Sequence, residues 1–385
     1  MPFADNRNKI GKYIPAVVFL IFIYGMALWF IFSPKPDYSS SEKRYLQKFP
    51  EVTAEKLLSG DFGSEFETFF ADRFPQRNTW VGLNAYTALA EGNNGASGVY
   101  NCKNGYLINK PVSTENNLDK NIGAVADFAK SIDTPTTVML VPSTGYIVDD
   151  VLPTFHDKYN DDEDISKISS TLSKDKIGFV DLRERFKSEY KNGSQIYYKT
   201  DHHWTTKGAY TGYQELCKAL GITPIDDSTL KKDSYPDFYG TTYSSSGFWL
   251  TPPDNIEIWN NPKNSDRNIS VKITEGANIK TSGSMYFTDH LKEDDKYPVF
   301  IDGNHALTEI TNTNAKNGTI LLIKDSFSHS LAPFLAENYS KVVLVDLRYY
   351  KESVSDLVTT YNPEQVVVLY GIDNLATDTD IVWLK

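Results

Sequence analysis

The chain has 385 residues, 40% hydrophobic and 13% aromatic, enough apolar material for one large domain or two smaller ones, which excludes a largely disordered polypeptide. Its formal net charge is -11 and it has no run of Lys and Arg, so nucleic acid is excluded as a main partner. Two cysteines, Cys102 and Cys217, leave room for one disulfide or none, and for no cysteine metal cluster.

From the N-terminus, Ile14 to Phe32 reads IPAVVFLIFIYGMALWFIF, an uncharged run able to cross roughly 30 Å of hydrocarbon as a helix. Arg7, Lys9 and Lys12 precede it, so residues 1–13 are expected in the cytoplasm, 14–33 in the cell membrane and the remainder outside. The sequence SPKPDYSS follows directly instead of a small-residue cleavage site, which favours an uncleaved single-pass anchor over a signal peptide. Residues 34–92 read as a polar, Pro-bearing linker followed by a membrane-proximal region with apolar residues at helical spacing.

One domain is expected over 93–385. An Asn-Gly pair in GVYNCKNGYLI predicts a hairpin. Helical and strand patterns then alternate: NNLDKNIGAVADFAKSI, TTVMLVPS, ISKISSTLSKDK, IGFVDL and the helix TTKGAYTGYQELCKAL closed by Gly221. After GTILLIKD and a helix from Ser326 come KVVLVDL, VSDLVTTYN and EQVVVLYG. Such alternation predicts an α/β sandwich with a mostly parallel sheet. Between about 225 and 315 the texture turns to Ser, Thr, Asn, Asp and aromatics, which reads as a β-rich insertion.

The chemistry concentrates in Asp201-His202-His203-Trp204. Adjacent histidines point apart in regular backbone, so one of the two is expected to be structural. Asp201 and His203 fall on one side of an extended backbone, where the carboxylate holds one imidazole nitrogen and leaves the other as a base. A nucleophile for that base lies in LLIKDSFSHSL, where an apolar strand ends at Lys324 and Ser326 occupies the turn into a helix. Three plainer readings stand beside this one. Asp325 and Ser326 are ordinary N-cap residues, and Asp201 or Thr205 would cap the helix after them. A metal would recruit Asp201 and His203 with His156, His290, His305 or His329, although no paired ligand spacing supports it.

DHHW, a late strand-Ser-helix element, GYLI and an N-terminal anchor together resemble the bacterial DHHW family. They are also similar to the SGNH-hydrolase-like domain of the alginate O-acetylation proteins of the AlgJ and AlgX type. The resemblance implies an SGNH-like fold over roughly 42–385 and a triad of Asp201, His203 and Ser326, without cofactor or metal. It also implies substrate-side roles for Trp204 and for Arg348 and Tyr370, which end predicted strands and would equally be ordinary surface residues; His329, one helical turn after Ser326, would line the pocket rim. The implied activity is O-acetyl transfer to a cell-surface or secreted polysaccharide through an acyl-Ser326. Acetylester hydrolysis and a non-catalytic envelope scaffold are the alternatives. Glycan capture would fall to the insertion's aromatics, Tyr239, Tyr243, Phe248 and Trp249, which a packed insertion would equally use as core. Because acetyl-coenzyme A is cytoplasmic, the resemblance further implies a multi-pass membrane-bound O-acyltransferase as the source of acetyl groups.

Overall fold

Uncharged residues from Ile14 onward form the greater part of a 29-residue helix, α1 (Ala4–Phe32). Its stretch Lys12–Phe32, of mean hydropathy 2.4 and with no buried residue in its apolar window, is long and apolar enough to span a membrane. The structure, a computed structural model, describes residues 4–112 and 117–384, with side chains from Lys12 onward. Residues 1–3 of the expected cytoplasmic tail, Asn116 at the head of an expected helix, and Lys385 lie outside the described residues.

The chain forms two compact units, Met1–Thr87 and Ala88–Lys385. In the first, α1 is followed by the short pair β1 (Tyr38–Ser39) and β2 (Arg44–Tyr45), then by α2 (Ala54–Ser59), α3 (Asp61–Asp72) and α4 (Arg77–Ala90). The linker is ordered because the buried Arg73 guanidinium donates to the carbonyls of Lys35, Pro36 and Gln47 and pairs with Asp37 at 2.9 Å.

The second unit opens with a small antiparallel sheet, β3 (Gly95–Ala96), β4 (Val99–Asn101) and β5 (Leu107–Asn109). Asn104 and Gly105 turn the expected hairpin, both at positive φ. There follow α5 (Leu118–Ser131), β6 (Thr136–Val141), α6 (Thr144–Ile147), α7 (Asp161–Lys174), β7 (Gly178–Asp181), α8 (Arg183–Lys191) and α9 (Thr206–Leu220). Thr205 caps α9 by accepting from the Gly208 N–H, and Gly221 closes it at φ 69°. Next come β8 (Lys231–Phe238), α10 (Thr241–Ser246), β9 (Asp254–Asn260), β10 (Ile269–Glu275), β11 (Asn278–Ser282) and β12 (Leu307–Asn312). The chain ends with β13 (Asn317–Lys324), α11 (Ser328–Leu335), β14 (Tyr339–Val345), α12 (Val354–Tyr361), β15 (Gln365–Gly371) and α13 (Ile372–Thr377).

Eight strands make one sheet in the order β11-β10-β12-β14-β13-β15-β6-β7. The five from β14 to β7 are parallel and the first three antiparallel. Alternate strand residues feed two separate cores, as the two-residue period of a strand requires. Leu322, Leu344, Val367 and Leu369 pack with α9 and α11, whereas Leu321, Ile323, Val368 and Tyr370 pack with α5 and α7. Helices therefore cover both faces of the parallel part.

The stretch expected to be an insertion divides in two. Strands β8 and β9 form their own antiparallel ladder, whereas β10, β11 and β12 extend the main sheet through β14. Alternating burial along β10 joins it to the same core, so this half is not a separate module.

Candidate active site

Parallel strands β13, β15 and β6 lie side by side and end on the same edge, where α/β folds place ligands. Ser326 sits in the turn after β13. Asp325, expected only as a cap, fixes that turn to the end of β15. Its buried carboxylate accepts from Phe327 N at 2.9 Å, Gly371 N at 2.8 Å and the Asn374 side-chain amide at 2.7 Å. Burial pushes the Asp325 pKa up, against the pull of these donors.

Asp201 and His203 share a side for a different reason than extended backbone. They lie in a bend between α8 and α9, where the His203 N–H donates to Asp201 Oδ1 at 2.8 Å and folds the pair together. The same Oδ1 takes His203 Nδ1 at 2.5 Å, and His203 Nε2 lies 2.7 Å from Ser326 Oγ. Thr241, at the start of α10, donates its N–H at 2.7 Å and its hydroxyl at 3.1 Å to Asp201 Oδ2. Burial opposes ionisation of Asp201, but His203, His202 and these hydrogen bonds hold its pKa well below the usual range. An ionised Asp201 only accepts, so Nδ1 of His203 carries the proton and Nε2 offers a lone pair to the Ser326 hydroxyl.

His203 is held from both sides. The Tyr297 ring stacks on it at 4.0 Å with its hydroxyl donating to the Ser326 carbonyl, and Phe327 meets it edge-on at 5.1 Å. His202 is the less buried of the pair and lines the cavity beside the triad. Since the Thr241 hydroxyl donates to Asp201, His202 Nδ1 donates to that hydroxyl, at 2.7 Å. Burial and the neighbouring His203 lower the His202 pKa to about 4. The four further histidines named for a metal have other partners: His156 the Asp157 carbonyl, His290 Glu293 and Asp302, His305 Glu275, and His329 Lys324, whereas ligand atoms of Asp201, His202 and His203 lie within 4.8 Å of one another.

The family described as DHHW protein matches residues 112–345 of the chain. This chain belongs to the DHHW family. A DHHW family protein from Eubacterium siraeum superimposes with a TM-score of 0.63 at 18% identity, covering 75% of this chain and 95% of its own. Bacillus cereus PatB1, solved with a sulfonyl adduct, gives 0.61 at 20% identity, with 74% and 97% covered. The O-acetyltransferase domain of Pseudomonas putida AlgJ gives 0.48 at 14%, with 75% and 95% covered. No curated protein matches the sequence.

Three substrate-side expectations for this DHHW protein fail on burial. Trp204 is fully buried, and its indole N–H is shared between the Phe327 carbonyl at 3.0 Å and Ser330 Oγ at 2.9 Å, so it braces the turn that bears Ser326. Tyr370 follows Val366 and Val368 onto the sheet face covered by α5, away from the triad. His329 lies beneath the turn, not on a rim, and its Nε2 accepts from Lys324 Nζ at 2.9 Å. Arg348 stays half-exposed, but its guanidinium is committed to Asp346 and Asn304. Asp346 in turn takes the buried Lys324 ammonium at 2.9 Å. Among the aromatics named for glycan capture, Phe248 is fully buried, whereas Tyr239, Tyr243 and Trp249 are half-buried neighbours with ring separations of 4.4 and 5.2 Å. Cys102 and Cys217 are buried free thiols.

Sequence reasoning missed Thr241, Tyr297, Asn374 and two acids bound to Ser143 in this DHHW protein, Asp373 on the cavity wall and Asp161 behind it. Ser143, just after β6, donates its N–H to Asp161 at 2.7 Å and its hydroxyl to Asp373 at 3.1 Å. Burial raises Asp161 to about 7 and Asp373 to about 6. Ser143 follows β6, and Gly371 and Asn374 lie at and after the end of β15, the parallel strand next to β13, an order that the sequence alone does not display.

Two outcomes follow. A methyl added at Gly240 would stand 2.1 Å from Asp201 Cβ and 2.3 Å from Oδ2, so Gly240→Ala displaces the carboxylate. Its turnover of an activated acetyl ester is expected to fall by roughly 10²–10⁴ with the circular dichroism unchanged, and full activity would contradict the geometry. The second concerns Asp161 and Asp373, which keep their protons to higher pH folded than unfolded. Their stabilisation is present below about pH 4 and is lost as pH rises through about 6 to 7. Asp161→Asn should therefore flatten the decline of Tm over that window, and identical pH slopes for variant and wild type would contradict it.

Proposed function

We propose that this chain transfers acetyl groups to the hydroxyls of a cell-surface or secreted polysaccharide through an acetyl-Ser326 intermediate. The observation that carries the acyl chemistry is the 2.7 Å contact between Ser326 Oγ and His203 Nε2, backed by the Asp201 carboxylate. The acetyl group and the polysaccharide rest on the resemblance to alginate O-acetylation proteins and on membership of the DHHW family.

In the first half-reaction Ser326 Oγ attacks the donor carbonyl while His203 Nε2 takes the hydroxyl proton. The tetrahedral oxyanion collapses, the donor's alkoxide leaves with the proton from His203, and the acetyl group stays on Ser326. In the second, a sugar hydroxyl loses its proton to His203 and attacks the ester carbonyl; the bond to Ser326 Oγ then breaks and His203 returns the proton to that oxygen. Water in place of the sugar would give ester hydrolysis. Two donors suit the oxyanion: the Ser326 backbone N–H, which has no hydrogen-bond partner among the described residues, and the second amide hydrogen of Asn374. Asp201 stabilises the imidazolium formed in both steps.

The half-buried rings of Tyr239, Tyr243 and Trp249 flank Thr241 and Thr242, which touch Asp201 and the cavity. They suit an acceptor sugar, whose apolar face stacks on aromatic rings. The domain after α1 is taken as extracytoplasmic, so the acetyl group would arrive through a multi-pass membrane acyltransferase, since α1 offers only one span.

Brief exposure to p-nitrophenyl acetate followed by mass spectrometry should place one acetyl group on Ser326 and none in Ser326→Ala. An adduct on another residue would contradict the assignment. His203→Ala should lose roughly 10² or more of acetyl transfer, the usual contribution of a general base. His202→Ala, which only loosens Thr241, should lose less; the reverse ranking in steady-state rates would reassign the base.

A further inference from the structure

Helix α3 reads DFGSEFETFFAD, which sets Phe62, Phe66, Phe69 and Phe70 on one face and Asp61, Glu65 and Glu67 off it. Those phenylalanines pack among themselves and with Phe49, at ring separations of 5.4 Å for Phe69 and 6.1 Å for Phe66. A protein core of this content would be covered, yet Phe49 is 58% exposed, Phe66 39% and Phe70 41%. On α2 next to it, Leu57 and Leu58 are exposed, Leu58 at 90%. Contiguous apolar surface of this kind marks a docking face.

Its occupant is indicated by the last turn of α1. Phe30, inside the segment able to span a membrane, packs tilted against Phe70 at 4.7 Å and edge-on against Phe69 at 6.2 Å. The apolar face of α3 is thus continuous with the surface of the span, and the medium that bathes one reaches the other. Just beyond, Lys35 Nζ lies 4.1 Å over the Phe30 ring, placed as a snorkelling cation at a bilayer boundary. Trp29, Tyr38 and Tyr45, the side chains favoured at membrane interfaces, are exposed in the same unit.

We propose that α2 and α3 form an interfacial platform, with Phe49, Leu58, Phe66 and Phe70 immersed at the boundary between headgroups and acyl chains, so that the chain both spans and lies on the membrane. The exposed acids of α3, Asp61 and Glu67, then face water. The proposal rests on α1 as a span and not on acetyl transfer.

The test uses the full chain in vesicles of phosphatidylcholine and phosphatidylglycerol, with a nitroxide at Phe66→Cys or Leu58→Cys and a control at Glu67→Cys. Collision of the label with oxygen, which partitions into lipid, is compared with collision with a water-soluble nickel chelate. The oxygen-to-nickel ratio is expected to be several-fold higher at both apolar positions than at Glu67. A ratio equal to the control would overturn the proposal, as would low access to both reagents, which would mean that protein, such as a second copy of this chain, covers the face. Leu58 is so exposed that its replacement keeps the test valid should Phe66→Cys fail to fold.

Discussion

A carboxylate that stays ionised inside a protein must be surrounded by donors, and around Asp201 that demand organises the site. One oxygen binds the backbone and the ring of His203, which creates the bend and selects the tautomer. The other binds Thr241, which fixes the start of α10 and, through its hydroxyl, His202. Gly240 lies so close to the carboxylate that no larger residue fits without displacing it.

A second buried carboxylate does the same for the nucleophile. Asp325 holds the turn bearing Ser326 to the end of β15, with Trp204 bracing it from the other side through Phe327 and Ser330. The two halves of the triad belong to distant parts of the sequence and meet where the bend before α9 packs on the turn before α11, through Trp204, Phe327 and Ser330. Beneath the turn, Lys324 is paired with Asp346, and burial lowers its pKa despite that partner. Breaking such a buried pair leaves an uncompensated charge, typically costing about 3–5 kcal/mol.

Much of this was legible in the sequence, and the remainder follows a pattern. Helix and strand periods gave the alternation from α5 to α13 because those elements bury one face or both, and apolar spacing reports burial. Asp201, His203 and Ser326 could be picked out because their types and local settings are unusual. Trp204, Tyr370 and His329 were misplaced because proximity in sequence to a site says nothing about direction: Tyr370 differs from Leu369 by one residue and therefore by one face of the sheet. Asn374, Thr241 and the pair Asp161 and Asp373 were invisible because their roles arise from strand order, which one sequence does not display. For the same reason the stretch 225–315 read as an insertion, although β10 and β12 pair into the main sheet.

The central claim is that Ser326 is an activated nucleophile because His203 and Asp201 make it one. The most direct measurement is the rate of covalent modification by a small sulfonyl fluoride, with the adduct located by peptide mass spectrometry. The account predicts modification at Ser326 in the wild-type chain that slows by roughly 10² or more in both His203→Ala and Asp201→Ala, in line with loss of a general base and its orienting carboxylate. Modification at an unchanged rate in those variants, or at another residue, would contradict it.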